Sequence, residues 1–256
     1  MRESCGGMPT DITAFQWTCA GFSALCIGLS KAGFGGIAIA GILLMTQVIP
    51  PRESTGVILP MLILADVFAV HAFRKFAVWR VLLKILPPAV AGVALGWFFM
   101  PEIPAEVFTP LIGWMLISLL VLTVLQKCSR RLQGVVAEHA VVAWPLGLLA
   151  GISTMLANAA GAVMTIYLLA CRLPKYEFVG TAAWFFFLIN VIKVPFSTSL
   201  GLITRETLLF NLILAPAVVA GVTLGRILLT KINQQVFEWL LIVLSLLGSL
   251  RLVFGS

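Results

Sequence analysis

Charged residues are scarce in this chain. Only 11% of its 256 residues are Asp, Glu, Lys or Arg, less than half of the share that a soluble domain normally carries, whereas 61% are hydrophobic. A surface this poor in charge excludes a protein that faces water on all sides, so lipid has to cover most of it. Because a single chain can satisfy its backbone in lipid by forming helices, the sequence predicts an all-α integral membrane protein.

Long polar stretches and metal-binding clusters are missing as well. The longest segment without an apolar run, around residues 127–138, is far shorter than the roughly 50 residues of a second domain. The five cysteines suggest no disulfide scheme, and His71 and His139 lie near predicted segment ends. We therefore expect no soluble domain, no metal and no cofactor. An enzyme is a poor interpretation, because the sequence clusters no catalytic groups.

Apolar runs are abundant. With about 20 residues as the length that crosses a bilayer, the chain contains ten hydrophobic segments, five in each half. Eight of them are long enough to span the membrane, and the second and seventh are short. The segments cover residues 12–29, 34–49, 54–73, 80–100, 106–126, 139–156, 160–171, 178–199, 207–229 and 236–254.

The two halves of the chain repeat each other. Residues 91–96 return with one substitution as residues 220–225, and the two glycines of each copy, four positions apart, are typical of close helix contact. Because five is an odd number of segments, we expect the second half to cross the membrane in the opposite sense. Many secondary transporters place their substrate between such inverted repeats. The predicted parts are a first transmembrane repeat at 1–127, a cytoplasmic linker at 128–138 and a second, inverted repeat at 139–256.

Each repeat opens with a break in place of a polar loop. Mostly small residues join the first two segments at 30–36 and the corresponding two segments of the second half at 157–161. Such linkers are poor loops in water but good breaks inside a membrane, where irregular backbone needs protein or a cavity around it. We predict a broken or re-entrant helical hairpin in each repeat, with short-helix N-termini that can hold an anion.

The positions of Lys and Arg set the orientation. If the loop after the third segment is cytoplasmic, eleven basic residues fall inside and four outside. The positive-inside rule then places both chain termini on the outer face. The net charge of +7 is explained by this topology, so we expect no nucleic-acid partner. The expected partners are the lipid bilayer and a small anion, and the sequence leaves the oligomeric state open, a homodimer included.

Three charged residues interrupt the apolar pattern. Lys193 lies fifteen residues into its segment, where a charge costs about 2.5–3.5 kcal/mol, and Lys31 lies at the glycine-flanked first break. Both are candidate anion ligands. The alternative for Lys31 is snorkelling to an interface, and for Lys193 it is snorkelling or a structural pair with Asp66. Asp66 itself is either the partner of a lysine or a proton-coupling carboxylate.

Neutral polar residues extend the candidate site. Asn190 lies one turn before Lys193 on the same helix face, and Asn158 lies at the second break. Helix-to-helix hydrogen bonds explain Asn190 and Thr181 equally well, and a helix cap explains Asn158. The predicted substrate-binding set is Lys31, Gly35, Asn158, Gly161, Thr181, Asn190 and Lys193, with Asp66 as a coupling residue or ion-pair partner.

Motifs follow one another in order along nearly the whole chain. The first half contains Gly28-Leu-Ser-Lys-Ala-Gly-Phe-Gly-Gly36, Pro50-Pro51, Leu59-Pro60 with Asp66, and Leu86-Pro87; the second contains Gly151-Ile-Ser153, Leu173-Pro-Lys175, Val179-Gly-Thr181 and Phe185-Phe186. This ordered set resembles the TauE/SafE family of sulfite exporters. The resemblance implies a multi-pass protein of the bacterial inner membrane that moves sulfite or a related small sulfur-containing anion, such as an organosulfonate or thiosulfate. The second break differs from the first, because it has no basic residue corresponding to Lys31.

The favoured function is export of such an anion through a central site between the repeats. An anion channel on the same scaffold and an importer of the same substrates are the alternatives. Export has a physical advantage, because each negative charge that leaves a cell with an inside-negative potential of 100 mV gains about 2.3 kcal/mol.

Overall fold

The computed structural model describes residues 12–33, 35–102 and 140–233, together with the single positions 104, 114, 236, 239, 243 and 247. In these parts of the chain the regular structure is helical throughout. Eight α-helices occur there, with a 3₁₀ turn at Arg74–Phe76. The helices are α1 Ala14–Ser30, α2 Gly35–Met45, α3 Pro51–Phe73, α4 Trp79–Phe99, α5 Ala140–Ala157, α6 Ala160–Ala170, α7 Lys175–Ser199 and α8 Arg205–Lys231.

These helices coincide with eight of the ten predicted segments. Four of them, α3, α4, α7 and α8, are long and apolar enough to cross a membrane, while α1 and α5 are shorter, with 17 and 18 residues. The expectation that the second and seventh segments are short is confirmed, since α2 and α6 have 11 residues each. The fifth and tenth segments and the linker at 128–138 lie outside the described residues, apart from single positions. The protein is a multi-pass helical membrane protein.

Each of the two predicted breaks is formed by one residue with a positive φ. Gly33 has φ +99° between α1 and α2, and Asn158 has φ +52° between α5 and α6. A left-handed residue ends an α-helix, and glycine adopts this conformation without a steric penalty, while asparagine tolerates it better than most residues. The chain therefore stops one helix and starts the next within a few residues at both places.

The repeated hexapeptide joins the two halves. Gly92 of α4 packs against Gly151 of α5, and Gly221 of α8 packs against Gly28 of α1. A Cβ atom added at Gly28 would lie 3.1 Å from Cα of Gly221, and one added at Gly92 would lie 3.0 Å from Cα of Gly151. Backbones this close leave no room for side chains, as the glycine spacing predicted. Each half thus packs its fourth helix against the first helix of the other half.

The same contacts give the directions of the helices. Gly28 lies beside Gly221, and Ala32, four residues later and just after the end of α1, lies beside Gly225, one turn later in α8. α1 and α8 therefore run in the same direction. The equivalent contacts of α4 give it the same relation to α5.

Four helix termini meet at one end of the molecule, here called the basic end. Nζ of Lys175, at the start of α7, donates hydrogen bonds to the carbonyls of Leu229 and Ile232, at the end of α8, at 3.2 and 2.6 Å. Gly180 packs against Phe73, where α3 ends and the turn into α4 begins. At the opposite end, called the far end, Nε1 of Trp97 in α4 donates to Oγ of Ser199 in α7 at 3.0 Å.

The two ends differ in charge and in the hairpin that they carry. α1 starts at the far end and α2 returns there, whereas α5 starts at the basic end and α6 returns there, because α1 is parallel to α8 and α5 to α4. Residues predicted to be cytoplasmic gather at the basic end, and residues predicted to be external gather at the far end. The first group is Arg74, Lys75, Arg80, Arg172, Lys175 and Lys231; the second is Arg52, Glu102 and Arg205.

The centre of the molecule is formed by α3 and α7. These two helices pack against each other and run in opposite directions, because α3 ends and α7 begins at the basic end. α1 and α5 also contact α3, so the two breaks lie beside the central helices. Polar side chains at the breaks can therefore reach polar side chains in the middle of α3 and α7.

Candidate functional site

Lys31 and Asp66 form a buried ion pair. Nζ of Lys31 lies 2.8 Å from Oδ1 of Asp66, and the two side chains are 6% and 0% exposed. The end of α1 at Ser30 and the turn at Gly33 bring Lys31 across to α3. The ammonium group also lies 4.6 Å from the centre of the Phe186 ring, within the range of a cation–π contact. Lys31 therefore does not snorkel to an interface in this conformation.

Lys193 is enclosed by neutral oxygen atoms. Its Nζ donates hydrogen bonds to the backbone oxygen of Thr154 at 2.7 Å, to Oγ1 of Thr154 at 3.3 Å and to Oδ1 of Asn158 at 2.6 Å. Three acceptors match the three N–H groups of an ammonium ion, which has no acceptor of its own. The alternative that Lys193 pairs with Asp66 is wrong for this structure, since the lysine at ion-pair distance from Asp66 is Lys31.

Asp66 and Asn190 link the two central helices. Nδ2 of Asn190 donates to Oδ2 of Asp66 at 2.7 Å, and both side chains are buried. Oδ1 of Asn190 is buried too and has no hydrogen-bond partner among the described residues. Because an unpaired buried acceptor costs about 1–3 kcal/mol, this oxygen is a destabilising feature of the conformation described here.

The site residues occupy equivalent positions in the two halves. Pro50 and Pro174 cap α3 and α7, and Asp66 and Asn190 each follow their proline by sixteen residues. The sequence Gly28-Leu-Ser-Lys31 corresponds to Gly151-Ile-Ser-Thr154, because Gly28 and Gly151 lie at the two equivalent crossings. Thr154 therefore stands where the first half has Lys31. The second half supplies its lysine from α7 instead, at the next turn after Asn190.

The two lysines lie on opposite sides of the bond between Asp66 and Asn190. Lys31 is at the end of α1 that points toward the basic end, and Asp66 lies seven residues before the end of α3 there. Lys193 lies six residues before the far end of α7 and bonds to Asn158, at the end of α5 that points the same way. At 1.5 Å per residue, each lysine lies about 10 Å from its end of the molecule.

A small cavity adjoins Lys31. It is enclosed by the first break, by the first turns of α6 and by α7, and its lining includes Lys31, Gly33, Gly161, Thr165 and Phe186. The space open to a water-sized sphere is about 20 Å³, which is room for about one water molecule. Sulfite, with three oxygen atoms around sulfur, does not fit. The conformation is therefore closed around Lys31, and an anion enters only if these walls move.

The other predicted residues differ in their relation to the site. Gly161 lines the cavity, and Gly35 starts α2 directly after the first break. Oγ1 of Thr181 accepts a hydrogen bond from the backbone N–H of Val78 at 2.9 Å, which joins α7 to the start of α4. Thr181 is nine residues from Asn190, about 13 Å along the helix. For Thr181 the structure thus shows the alternative role, a helix-to-helix hydrogen bond.

Three residues of the site were not predicted from the sequence. Thr154 binds Lys193, Phe186 lies under Lys31, and the backbone oxygen of Thr55 accepts a hydrogen bond from Nδ2 of Asn158 at 3.1 Å. The correspondence between Gly28-Leu-Ser-Lys31 and Gly151-Ile-Ser-Thr154 is a signal that could have identified Thr154. Nothing in the sequence distinguishes Phe186 from its aromatic neighbours or marks the Thr55 carbonyl.

The chemistry of the site suits an anion. It holds two ammonium groups, one carboxylate and two amides, and its charged groups are shielded from water. Within the described residues no three His, Cys, Asp or Glu side chains are grouped in a way that could hold a metal ion.

A comparison with protein families decides the relationship. The model of the sulfite exporter TauE/SafE family matches residues 18–252. The chain belongs to this family. The match begins within α1 and covers the other described helices and both predicted breaks, so every residue of the site lies inside it. No curated protein and no solved structure matches the chain.

Proposed function

We propose that this TauE/SafE protein exports sulfite or a related small sulfur-containing anion, such as a short organosulfonate or thiosulfate, through the site around Lys31, Asp66, Asn190 and Lys193. The observation that carries the proposal is the presence, among the described residues, of two buried lysines with a single buried carboxylate between them. Family membership supports transport of this substrate class across a membrane. The excess of buried positive charge supports a binding partner that is an anion.

We also propose that the two halves are inverted repeats that expose the site alternately to the two sides. The hairpins α1–α2 and α5–α6 start from opposite ends, and each brings its break to one of the two lysines. An anion from the basic end meets Lys31 first and replaces Asp66 as its partner. It then passes the Asp66–Asn190 pair and reaches Lys193, which faces the far end.

The proposed direction follows from charge. Basic residues gather at the end where α4 and α7 begin, so the positive-inside rule favours this end as the cytoplasmic one in a bacterial inner membrane. The small cavity at Lys31 lies on that side. Export of a monovalent anion then gains about 2.3 kcal/mol per 100 mV, without another source of energy.

A counterflow assay on protein in liposomes tests this function. We expect the wild-type protein to exchange radiolabelled sulfite for unlabelled sulfite, and Lys31→Ala and Lys193→Ala each to lose most of this exchange. One charge at about 4 Å contributes about 4 kcal/mol at an effective dielectric constant of 20, so a loss of at least about 100-fold in apparent affinity is expected. Lys193→Arg should recover only part of the activity, because a planar guanidinium places its donors differently.

The matched control is Lys231→Ala, which removes an exposed lysine at the end of α8. It should transport like the wild type. Normal exchange by both Lys31→Ala and Lys193→Ala, in protein that elutes as a folded species, would refute the assignment of the site. Absence of exchange by the wild type for sulfite, thiosulfate and organosulfonates alike would refute the proposed function.

A further inference from the structure

The charges buried in the site do not balance. Among the described residues the buried charged side chains are Lys31, Asp66 and Lys193. Lys31 and Asp66 sum to zero wherever their shared proton lies, since an ion pair and a neutral acid–amine pair have the same total. Lys193 holds all three of its N–H groups on neutral oxygens, as an ammonium ion does. With Lys193 as an ammonium ion, these three buried side chains sum to a net charge of +1.

A net charge enclosed in protein is unfavourable unless a counter-charge joins it. A substrate with one negative charge brings the total to zero, whereas a substrate with two leaves the site at −1. Burying an unpaired ammonium group away from water costs free energy, and burying the unpaired second charge of a dianion costs free energy for the same reason.

We propose that the site selects monoanions, namely hydrogensulfite and organosulfonates that carry no second ionised group, over dianions such as sulfate and thiosulfate, and that Asp66 sets this preference. The proposal rests on the proposed function and narrows its substrate class. It gives Asp66 a role beyond that of a structural partner. The negative charge of Asp66 cancels the positive charge of Lys31, so the site keeps a net charge of +1, which one monoanion neutralises. Without the carboxylate the two lysines together match a dianion.

The Asp66→Asn variant tests this rule with almost no change of shape. It raises the net charge of the site to +2. The new amide can keep its oxygen toward Lys31 and donate from its NH₂ group to Oδ1 of Asn190 once the Asn190 amide turns over, because Nδ2 of Asn190 faces this position in the wild type. The variant therefore has a hydrogen-bonded arrangement available and is expected to fold. Asn190→Ala is the control, because it removes the hydrogen bond to Asp66 but leaves the charge at +1.

Two probes of similar size separate charge from shape. Methanesulfonate and sulfate are both tetrahedral at sulfur, and each keeps one charge state near neutral pH. Their binding to purified protein is measured by isothermal titration calorimetry, with sulfite in parallel. We expect the wild type and Asn190→Ala to bind methanesulfonate at least about tenfold more tightly than sulfate, a difference of about 1.4 kcal/mol. Asp66→Asn should reverse this order.

The outcomes distinguish this inference from the function on which it rests. The charge rule would be overturned if the wild type bound sulfate more tightly than methanesulfonate, or if folded Asp66→Asn still bound methanesulfonate more tightly. In either case, binding of sulfite by the wild type would leave the proposed function standing. If the variant does not fold, the wild-type order alone decides the monoanion preference. Failure of the wild type to bind sulfite, methanesulfonate and sulfate alike would overturn the proposed function together with this inference.

Discussion

Removing one partner of the Lys31–Asp66 pair should destabilise the protein more than removing both. The pair is 2.8 Å long and almost fully buried. In Asp66→Leu an ammonium group stays buried with the Phe186 ring beside it, and the loss of a single partner from a buried pair costs about 3–5 kcal/mol. The amide of Asn190 loses its acceptor in the same variant, which adds about 1–3 kcal/mol.

Combining Lys31→Met with Asp66→Leu removes both charges and fills the space with apolar side chains of similar volume. The pair contribution then vanishes, and only the cost at Asn190 is left, so the double variant should be about 3–5 kcal/mol more stable than Asp66→Leu. Unfolding of purified protein in mixed micelles, followed by tryptophan fluorescence, measures the difference. We expect neither variant to transport sulfite. A double variant no more stable than Asp66→Leu would show that the two residues do not form the buried pair described here.

Two further predictions concern the framework. Gly92→Ala should destabilise the protein by about 1–3 kcal/mol, because the new Cβ meets the backbone of α5. Its control is Gly21→Ala, which should be neutral or stabilising by up to about 1 kcal/mol, because nothing lies within 4 Å of the new Cβ. Equal stability of the two variants in thermal unfolding would contradict the close contact between α4 and α5. Cysteines placed at the far end should react with an impermeant thiol reagent on intact cells, whereas cysteines placed at the basic end should not. Reaction at the basic end would show that the orientation is the opposite of the one proposed. The protected positions are Arg74 and Lys175, and the labelled positions are Glu102 and Arg205.

Hydrophobicity and small-residue spacing were sufficient to predict most of the described fold. The short α2 and α6 followed from the lengths of the apolar runs, and the crossings of Gly92 and Gly221 followed from their small-residue spacing. The starts of α3 and α7 lie three residues earlier than predicted. The predicted apolar segment did not include Arg52, because this residue is charged. Proline and polar residues are nevertheless favourable in the first turn of a helix, where the N–H groups have no partner within the helix, and α3 therefore begins at Pro51.

The buried charges of the site could be predicted, but their partners could not. Lys31, Asp66 and Lys193 stand out because a charge in an apolar segment is costly, whatever the neighbouring helices are. Their pairing depends on which helices touch: Lys193 bonds to residues 35 and 39 positions earlier in the chain, and Asn190 bonds to Asp66 across 124 positions. No periodicity within one helix reports contacts at such separations. For this reason the sequence left a pair between Lys193 and Asp66 open as an alternative, whereas in the structure Lys31 is the partner of Asp66.

The ion pair in the closed site also bears on how a carrier can release its substrate. A carrier has to return empty, and Asp66 gives Lys31 a counter-charge during that step, so among the described residues only Lys193 lacks a counter-charge when no anion is bound. In the proposed mechanism the incoming anion must separate Lys31 from Asp66, and part of its interaction energy is used for that separation. Binding is therefore weaker than two lysines alone would give, and the anion can leave on the other side. In this mechanism Asp66 limits the affinity for the substrate and sets its charge through the same contact.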